Sequence, residues 1–435
     1  MSAKAIESQI EQISVEMERR KELFMAEMRE LESRKSLLLQ QLNAVRDPIA
    51  RLPLEVSSEI FLQCLPPQSK ACPLEYARPQ ARLAPLLLLN ICNTWTNIAL
   101  STPALWALIG IGFPRPTGFQ DLLERWLRRA GSRRLQISIK GACDSLMASS
   151  ILQHSAQLQS LCVSFDETNA EELDDGDEFC YELLGGILPE MELPSLQVLV
   201  IFGQAGMPTN LLWPSVHRLL RLSPNLTELN IQNINFMTYV NEELPETFVL
   251  PHLGHLTHFD GFEVFNFSAP RLETLYVSTW ALFDDTLISF LRQSSPPLLK
   301  LKLYGGCNVA GSLDESISLI PTLTHLESLF LGSAYMTDLF GFLAKNLHVA
   351  PNLQSIQMES IDDDEDHDGN PIDILTPLVS MISARRGGLR KVRLTTTSWS
   401  MEPLPDDVAA ILRQFLADGV DIHFGPVGGL NILSQ

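Results

Sequence analysis

Basic residues are scarce in this chain: 32 Lys and Arg stand against 52 Asp and Glu, a formal charge of −20 over 435 residues. Such a balance repels phosphate backbones and anionic headgroups, so general nucleic-acid binding and adsorption to a membrane surface are disfavoured. Long apolar runs are also lacking. The longest, Leu86–Leu89 and Ala104–Phe113, fall short of the roughly 18–20 residues that cross a bilayer. The first residues, MSAKAIESQIEQ, lack the apolar stretch of a secretory signal. The seven cysteines are odd in number and form no CxxC pair, which predicts reduced thiols in the cytoplasm, the nucleus or both. Catalytic signatures are missing too: GxSxG, HExxH and GxxxxGK(S/T) do not occur, and Gly110-Ile111-Gly112 lacks the third glycine of a dinucleotide loop. The chain is therefore expected not to be an enzyme and to carry no cofactor.

The charge is localised. Residues 1–46 hold eight acidic and eight basic side chains, whereas 166–178 and 359–373 each hold eight acidic residues and no Lys or Arg. These two stretches supply sixteen of the twenty net charges and are expected to be solvated loops. Asp364-x-Asp366-x-Asp368-Gly369 copies the start of a calcium loop, but Leu375 stands where the bidentate Glu belongs. His252, His255 and His258 have no carboxylate or Cys to complete a metal set, so no metal site is expected.

Residues 4–45 contain no Gly or Pro and are rich in Glu, Lys, Arg, Leu and Met, which predicts one long helix. Ile10, Met17, Phe24, Leu31, Leu38 and Val45 recur every seven residues. The companion position begins with Ile6 and Ile13, then fails at Arg20, Glu27, Arg34 and Gln41, while Met28 and Leu42 appear one residue later. The stripe drifts around the helix, so the pattern suits either a single amphipathic helix packed on a partner or on its own chain, or a homodimer through residues 4–45.

Pro48 ends this helix. Leu52–Leu65 then has a proline at its start, Glu55 at its positive end and apolar residues at helical spacing, before Pro66-Pro67 stops it. Leu88, Ile91, Cys92, Trp95 and Ile98 form a second helical stripe, followed by Ser101-Thr102-Pro103-Ala104-Leu105-Trp106. Residues 47–112 thus form a small module of about three short helices with more apolar surface than it can bury alone. Both segments and their order resemble the F-box family, whose pattern is LPxE(I/V)xxxIFxxL followed by (V/I)CxxWxx(I/L)A. The Ser101–Trp106 tail is similar to the LSTPxLW common in fungal F-box proteins. The resemblance implies that Leu52, Pro53, Glu55, Val56, Ile60, Phe61, Leu65, Ile91, Cys92 and Trp95 bind a Skp-type adaptor. By that route the chain would join a cullin ligase complex as its substrate-recognition subunit. A module that merely caps the C-terminal domain is the other reading of these helices.

From residue 113 to 435 an L-x-x-L-x-L pattern recurs, starting at Leu158, Leu196, Leu226, Leu272, Leu298, Leu326, Leu353 and Leu389, with a decayed copy at Leu253-Leu256-Phe259. The shortest spacings, 26 to 28 residues, match a leucine-rich repeat: a strand plus a helical return, stacked into a curved α/β solenoid with a parallel sheet. The two acidic stretches fall in longer spacings, as loop insertions would. A flat α/β sheet domain is the alternative. Strand alternation turns the fourth residue after each start outward, giving the column Cys162, Val200, Asn230, Tyr276, Lys302, Phe330, Gln357 and Arg393, with Lys300 and Lys391 beside it. For an F-box protein this column would hold an unknown protein substrate, and its late members are locally basic. A non-enzymatic scaffold, with a self-associating helix and a repeat-domain ligand but no ligase, fits the same features.

Overall fold

The computed structural model describes residues 3–65, 84–112, 118–141, 143–165, 180–186, 192–203, 209–237, 247–258, 267–278, 286–305, 312–329, 333–360, 371–396, 405–426 and 431. The acidic segment 166–178 and residues 361–370 of the second one lie outside this set. The fold is α/β, with a long N-terminal helix and a large parallel sheet of twelve strands. The described residues divide into two compact units: 3–65, 84–108 and 121–133 in the first, and 109–112, 118–120 and the residues from 134 onward in the second.

The first unit begins with helix α1 (Ala3–Arg46), as the Gly- and Pro-free composition predicts. Exposed pairs run along it, including Arg20 Nε to Glu16 Oε1 at 2.9 Å in the favourable acid-first i, i+4 order. After Pro48 a 3-10 turn (Ile49–Arg51) leads to α2 (Leu54–Gln63), for which Pro53 is the N-cap residue. The second apolar segment is not the one continuous helix that its spacing predicts. A 3-10 turn (Leu87–Asn90) and α3 (Asn93–Leu100) are separated by Cys92 in extended conformation, φ −160° and ψ 167°. Thr96 Oγ1 holds this break, donating to the carbonyls of Leu89 at 2.9 Å and Cys92 at 3.1 Å. The tail forms a 3-10 turn (Pro103–Trp106) that buries Leu105 and Trp106 completely. Trp106 donates its indole N–H to the Ala99 carbonyl at 2.8 Å and meets Trp126 of α4 (Phe119–Ala130) edge-on at 5.2 Å.

In the second unit, helices α5 (Ser145–Leu152), α6 (Trp213–Arg221), α7 (Thr286–Ser294), α8 (Ser312–Ser318), α9 (Ser333–Lys345), α10 (Pro371–Ala384) and α11 (Asp406–Ala417) alternate with strands. The large sheet contains β1 (Leu108–Gly112), β2 (Leu135–Lys140), β3 (Leu158–Ser164), β4 (Val198–Phe202), β6 (Glu228–Gln232), β9 (His255–His258), β11 (Thr274–Ser278), β12 (Lys300–Tyr304), β13 (His325–Leu329), β14 (Ser355–Ser360), β15 (Lys391–Thr396) and β16 (Asp421–Pro426). Their order across the sheet is their order along the chain. Two small parallel pairs stand apart: β5 (Thr209–Leu212) with β7 (Ile234–Met237), and β8 (Phe248–Val249) with β10 (Phe267–Ser268). Leu108–Gly112, expected inside the helical module, is the edge strand of the sheet, so the module ends earlier than residue 112.

The leucine pattern explains the register. Leu229, Leu256, Leu275, Leu301, Leu326, Ile356, Val392 and Ile422 pair in sequence from strand to strand, and all are buried. A lateral ladder precedes the strands of the large sheet from β6 to β15. One carbonyl accepts two successive N–H groups of the next unit: Gln197 O from Thr227 and Glu228 at 2.8 and 3.0 Å, then Thr227 O from Gly254 and His255, and so on to Gln354 O from Arg390 and Lys391. The register corrects one repeat. Leu326 pairs with Leu301 and Ile356, so this copy starts at Leu323 and its third position is the buried Ser328. A serine there hides the true frame, and the displaced frame Leu326/Leu329/Leu331 is the one that shows three leucines. Phe330 accordingly leaves the outward column, lies outside the described residues, and is replaced by Glu327.

Arg385, 8% exposed, joins α9 to α10. Its guanidinium donates to four carbonyls: Leu343 at 3.1 Å, Ala350 at 2.8 Å, Asn346 at 3.1 Å and Val349 at 2.7 Å. The charge sits at the negative end of α9, and burial lowers its pKa. Arg385→Ala is expected to destabilise the chain by about 3 kcal/mol in urea unfolding, because four carbonyls lose a charged donor. Arg385→Lys should recover under half of that loss, since an ammonium lacks the planar fork.

Candidate functional site

In the helical module the buried and exposed apolar residues separate cleanly. Phe61 is fully buried and Cys92 is 3% exposed, so these two members of the expected docking set lie in the module's core. The indole of Trp95 is half-buried against Phe61, with ring centroids 4.9 Å apart. Leu65 and Ile91 are likewise half-buried, while Pro53 and Glu55 are exposed. Val56 and Ile60, at i and i+4, leave one face of α2 open at 45% and 39% exposure, with Leu54 on the same helix at 50% and Leu52, in extended backbone just before it, at 40%. An apolar row of this kind on a small module marks a surface for protein association.

Asp47 holds the core beneath that face, and the sequence pattern did not single it out. This carboxylate is 8% exposed. Its Oδ1 accepts from the Ile49 N–H at 2.9 Å, and its Oδ2 accepts from the Trp95 indole N–H and the Cys92 thiol. It thereby ties the end of α1 to α3 across 48 residues of chain. Its position before a proline resembles an ordinary solvated loop acid, and only the burial of Trp95 and Cys92 would have given it away. Ser57, also fully buried, donates toward the Ile49 and Pro53 carbonyls. Ser58 and Thr102 hydroxyls meet at 2.9 Å, which links α2 to the Ser101–Trp106 tail.

In the sheet the outward column runs Ser138, Cys162, Val200, Asn230, Thr257, Tyr276, Lys302, Glu327, Gln357, Arg393 and His423. Its early members are covered: Cys162, Val200 and Asn230 are 3%, 2% and 9% exposed, so they do not present a contact surface as expected. Among the described residues Cys64, Cys92, Cys143 and Cys180 are free thiols. The later members are open: Arg393 is exposed and Tyr276, Lys300, Lys302, Gln357 and Lys391 are half-buried.

The basic cluster expected there is largely neutralised. Glu327 bridges Lys302 at 2.8 Å and Lys300 at 3.2 Å, and Asp421 lies 4.0 Å from Arg393. Lys302 also sits over the Tyr276 ring, 4.9 Å from its centroid, and Tyr304 meets Tyr276 edge-on. Burial, then the neighbouring Tyr304 and Glu327, push the Tyr276 hydroxyl up to about 12. Burial alone would raise the Glu327 carboxyl, but hydrogen bonds and charge from Lys302 and Lys300 outweigh it and hold it below its ordinary range. The surface is a mixed-charge, tyrosine-lined strip rather than a phosphate-reading basic patch. Among the described residues no group of three His, Cys, Asp or Glu side chains could hold a metal ion, and no helix is long and apolar enough to cross a membrane.

No protein-family model matches the chain, and no curated protein matches it. A functional reading of the chain therefore rests on the geometry of its two surfaces, the open face of α2 and the strip from Tyr276 to Arg393.

Two outcomes are expected. Asp47→Ala leaves the Trp95 indole without its acceptor and should cost the module about 2 kcal/mol, read as roughly 30-fold faster amide exchange in α2 and α3. Glu327 has a depressed folded pKa, so its contribution is present above the unfolded value and is lost as pH falls through the folded one. Glu327→Gln should therefore lower stability by at most about 1 kcal/mol at pH 7, with the difference vanishing near pH 3 in urea titrations.

Proposed function

We propose that this chain is the substrate-recognition subunit of a Skp–cullin–F-box type ubiquitin ligase, docking a Skp-type adaptor through the helical module and holding a protein target on the repeat domain. The observation that carries the reading is the open apolar pair Val56 and Ile60 of α2, with Leu52 exposed just before the helix, on a module whose own core holds Phe61, Cys92, Leu105 and Trp106. Those residues fall at the positions where the sequence resembles the F-box pattern. A buried core with a second, uncovered apolar face is what an adaptor-binding module requires.

The repeat domain is read as a divergent leucine-rich-repeat solenoid. Strand order that follows chain order, inward leucines in lateral register and the shared-carbonyl ladder all support stacking of like units. The open strip from Tyr276 to Arg393 would then hold the target. Catalysis would be by proximity: the adaptor raises the effective concentration of target lysines near a ubiquitin-charged enzyme, and no side chain of this protein takes part in bond making.

The test is capture of a recombinant Skp-type adaptor by the full chain. Val56→Asp with Ile60→Asp changes only exposed positions and is expected to weaken capture at least about 100-fold, since two charges would be desolvated in the interface. Phe61→Ala is unsuited to map the contact, because it empties the core. Failure of the wild-type chain to capture the adaptor would leave the non-ligase scaffold as the reading, and unchanged capture by the double variant would remove α2 from the contact.

A further inference from the structure

Helix α1 has a feature that neither the adaptor contact nor the target strip uses. Every described side chain from residue 11 to 46 is exposed, including Met17 at 67%, Phe24 at 60%, Leu31 at 54%, Leu38 at 57% and Val45 at 77%. The expectation that this stripe packs on its own chain is therefore not met among the described residues. The described apolar side chains of this 44-residue helix thus gain little tertiary support.

The flanks of the stripe say what would cover it. The residues just before each stripe position are Glu16, Leu23, Glu30 and Leu37. Those four after it are Lys21, Met28, Lys35 and Leu42. One flank is thus acidic or apolar, and the other basic or apolar, in the same alternation. In a parallel two-stranded coil a residue on the first flank meets the residue five further along on the other helix. That rule joins Glu16 to Lys21, Leu23 to Met28, Glu30 to Lys35 and Leu37 to Leu42 of a second copy, with no mismatch. An antiparallel coil brings like flanks together, so Glu16 and Glu30 would face leucines or each other, and the Glu–Lys contacts would be lost.

We propose that α1 pairs with α1 of a second copy of this chain as a parallel, in-register coiled coil. Arg20, Glu27 and Arg34 interrupt the second seam and meet their own counterparts, which makes the pair weak. Arg20 is drawn away from the seam by Glu16, at 2.9 Å. The intrachain bonds of Glu16 and Lys21 are exposed helix pairs that leave both side chains able to reach across. This inference is independent of the ligase reading, since it needs neither the adaptor nor a target.

Sedimentation equilibrium of the full chain tests it. The wild-type chain is expected to dimerise, and Phe24→Lys with Leu31→Lys to be monomeric. Glu16→Lys with Glu30→Lys, and separately Lys21→Glu with Lys35→Glu, should each weaken the dimer at least about tenfold by placing like charges across the seam. An equimolar mixture of these two charge variants should recover association, which also shows that both helices still form. A wild-type monomer at about 100 µM overturns the proposal. So does a dimer that survives Phe24→Lys with Leu31→Lys, or one that the Glu-to-Lys variant leaves at wild-type strength, since an antiparallel pair does not use the Glu–Lys contacts.

Discussion

The large sheet depends on one repeated hydrogen-bond arrangement. Before each strand of the large sheet from β6 to β15 a single carbonyl receives two consecutive N–H groups of the next unit, as Gln197 does from Thr227 and Glu228. This sets the lateral offset between units, and the offset puts Leu229 beside Leu256, Leu275 and Leu301. Buried leucines then supply the free energy, and the polar backbone at the unit boundary is satisfied without help from solvent. A unit that lost the offset by one residue would turn its leucines to the outer face. The sequence between strands is free to vary because neither the carbonyl nor the leucines belong to it. Starts that are 19 and 38 residues apart, Leu253 to Leu272 and Leu158 to Leu196, can therefore stand in one sheet.

Within the helical module a different constraint governs. Few residues form this core, so each buried polar group must be matched. Asp47, Ser57 and Thr102 are satisfied by partners on other segments, and they join α1, α2, α3 and the Ser101–Trp106 tail. The result leaves Leu52, Val56 and Ile60 outside a core already complete. An interface face and a folding core thus lie on the two sides of one ten-residue helix.

Much of this was legible in the chain, and the failures have physical causes. The long helix, α2, α7, α11 and most strands follow from periodicity, because apolar spacing and the absence of Gly or Pro act locally. Cys92 breaks a pattern that looks continuous, since Thr96 competes for carbonyls that an unbroken helix would use itself. Ser328 occupies an apolar position and shifts the apparent frame, which concealed Glu327 and made Lys300 and Lys302 look unpaired. Strands β1, β2 and β16 escaped because their units begin without the leading Leu of the pattern. Asp47 was invisible because its partners lie 45 and 48 residues away, and the burial of Phe61 and Cys92 emerges only once the fold encloses them.

The guanidinium of Arg385 has a consequence for how the C-terminal part responds to solvent. Its four acceptors are backbone carbonyls, which do not titrate and carry no net charge for salt to screen. A few strands away, the Lys300–Glu327–Lys302 bridge depends on a carboxylate that protonates in acid. The two kinds of fastening therefore come apart under acidification. The strip facing a partner would become more positive as Glu327 is neutralised, while the joint between α9 and α10 that carries the late strands keeps its geometry. Surface charge and internal rigidity are in this way set by different chemistry, and one can change without the other.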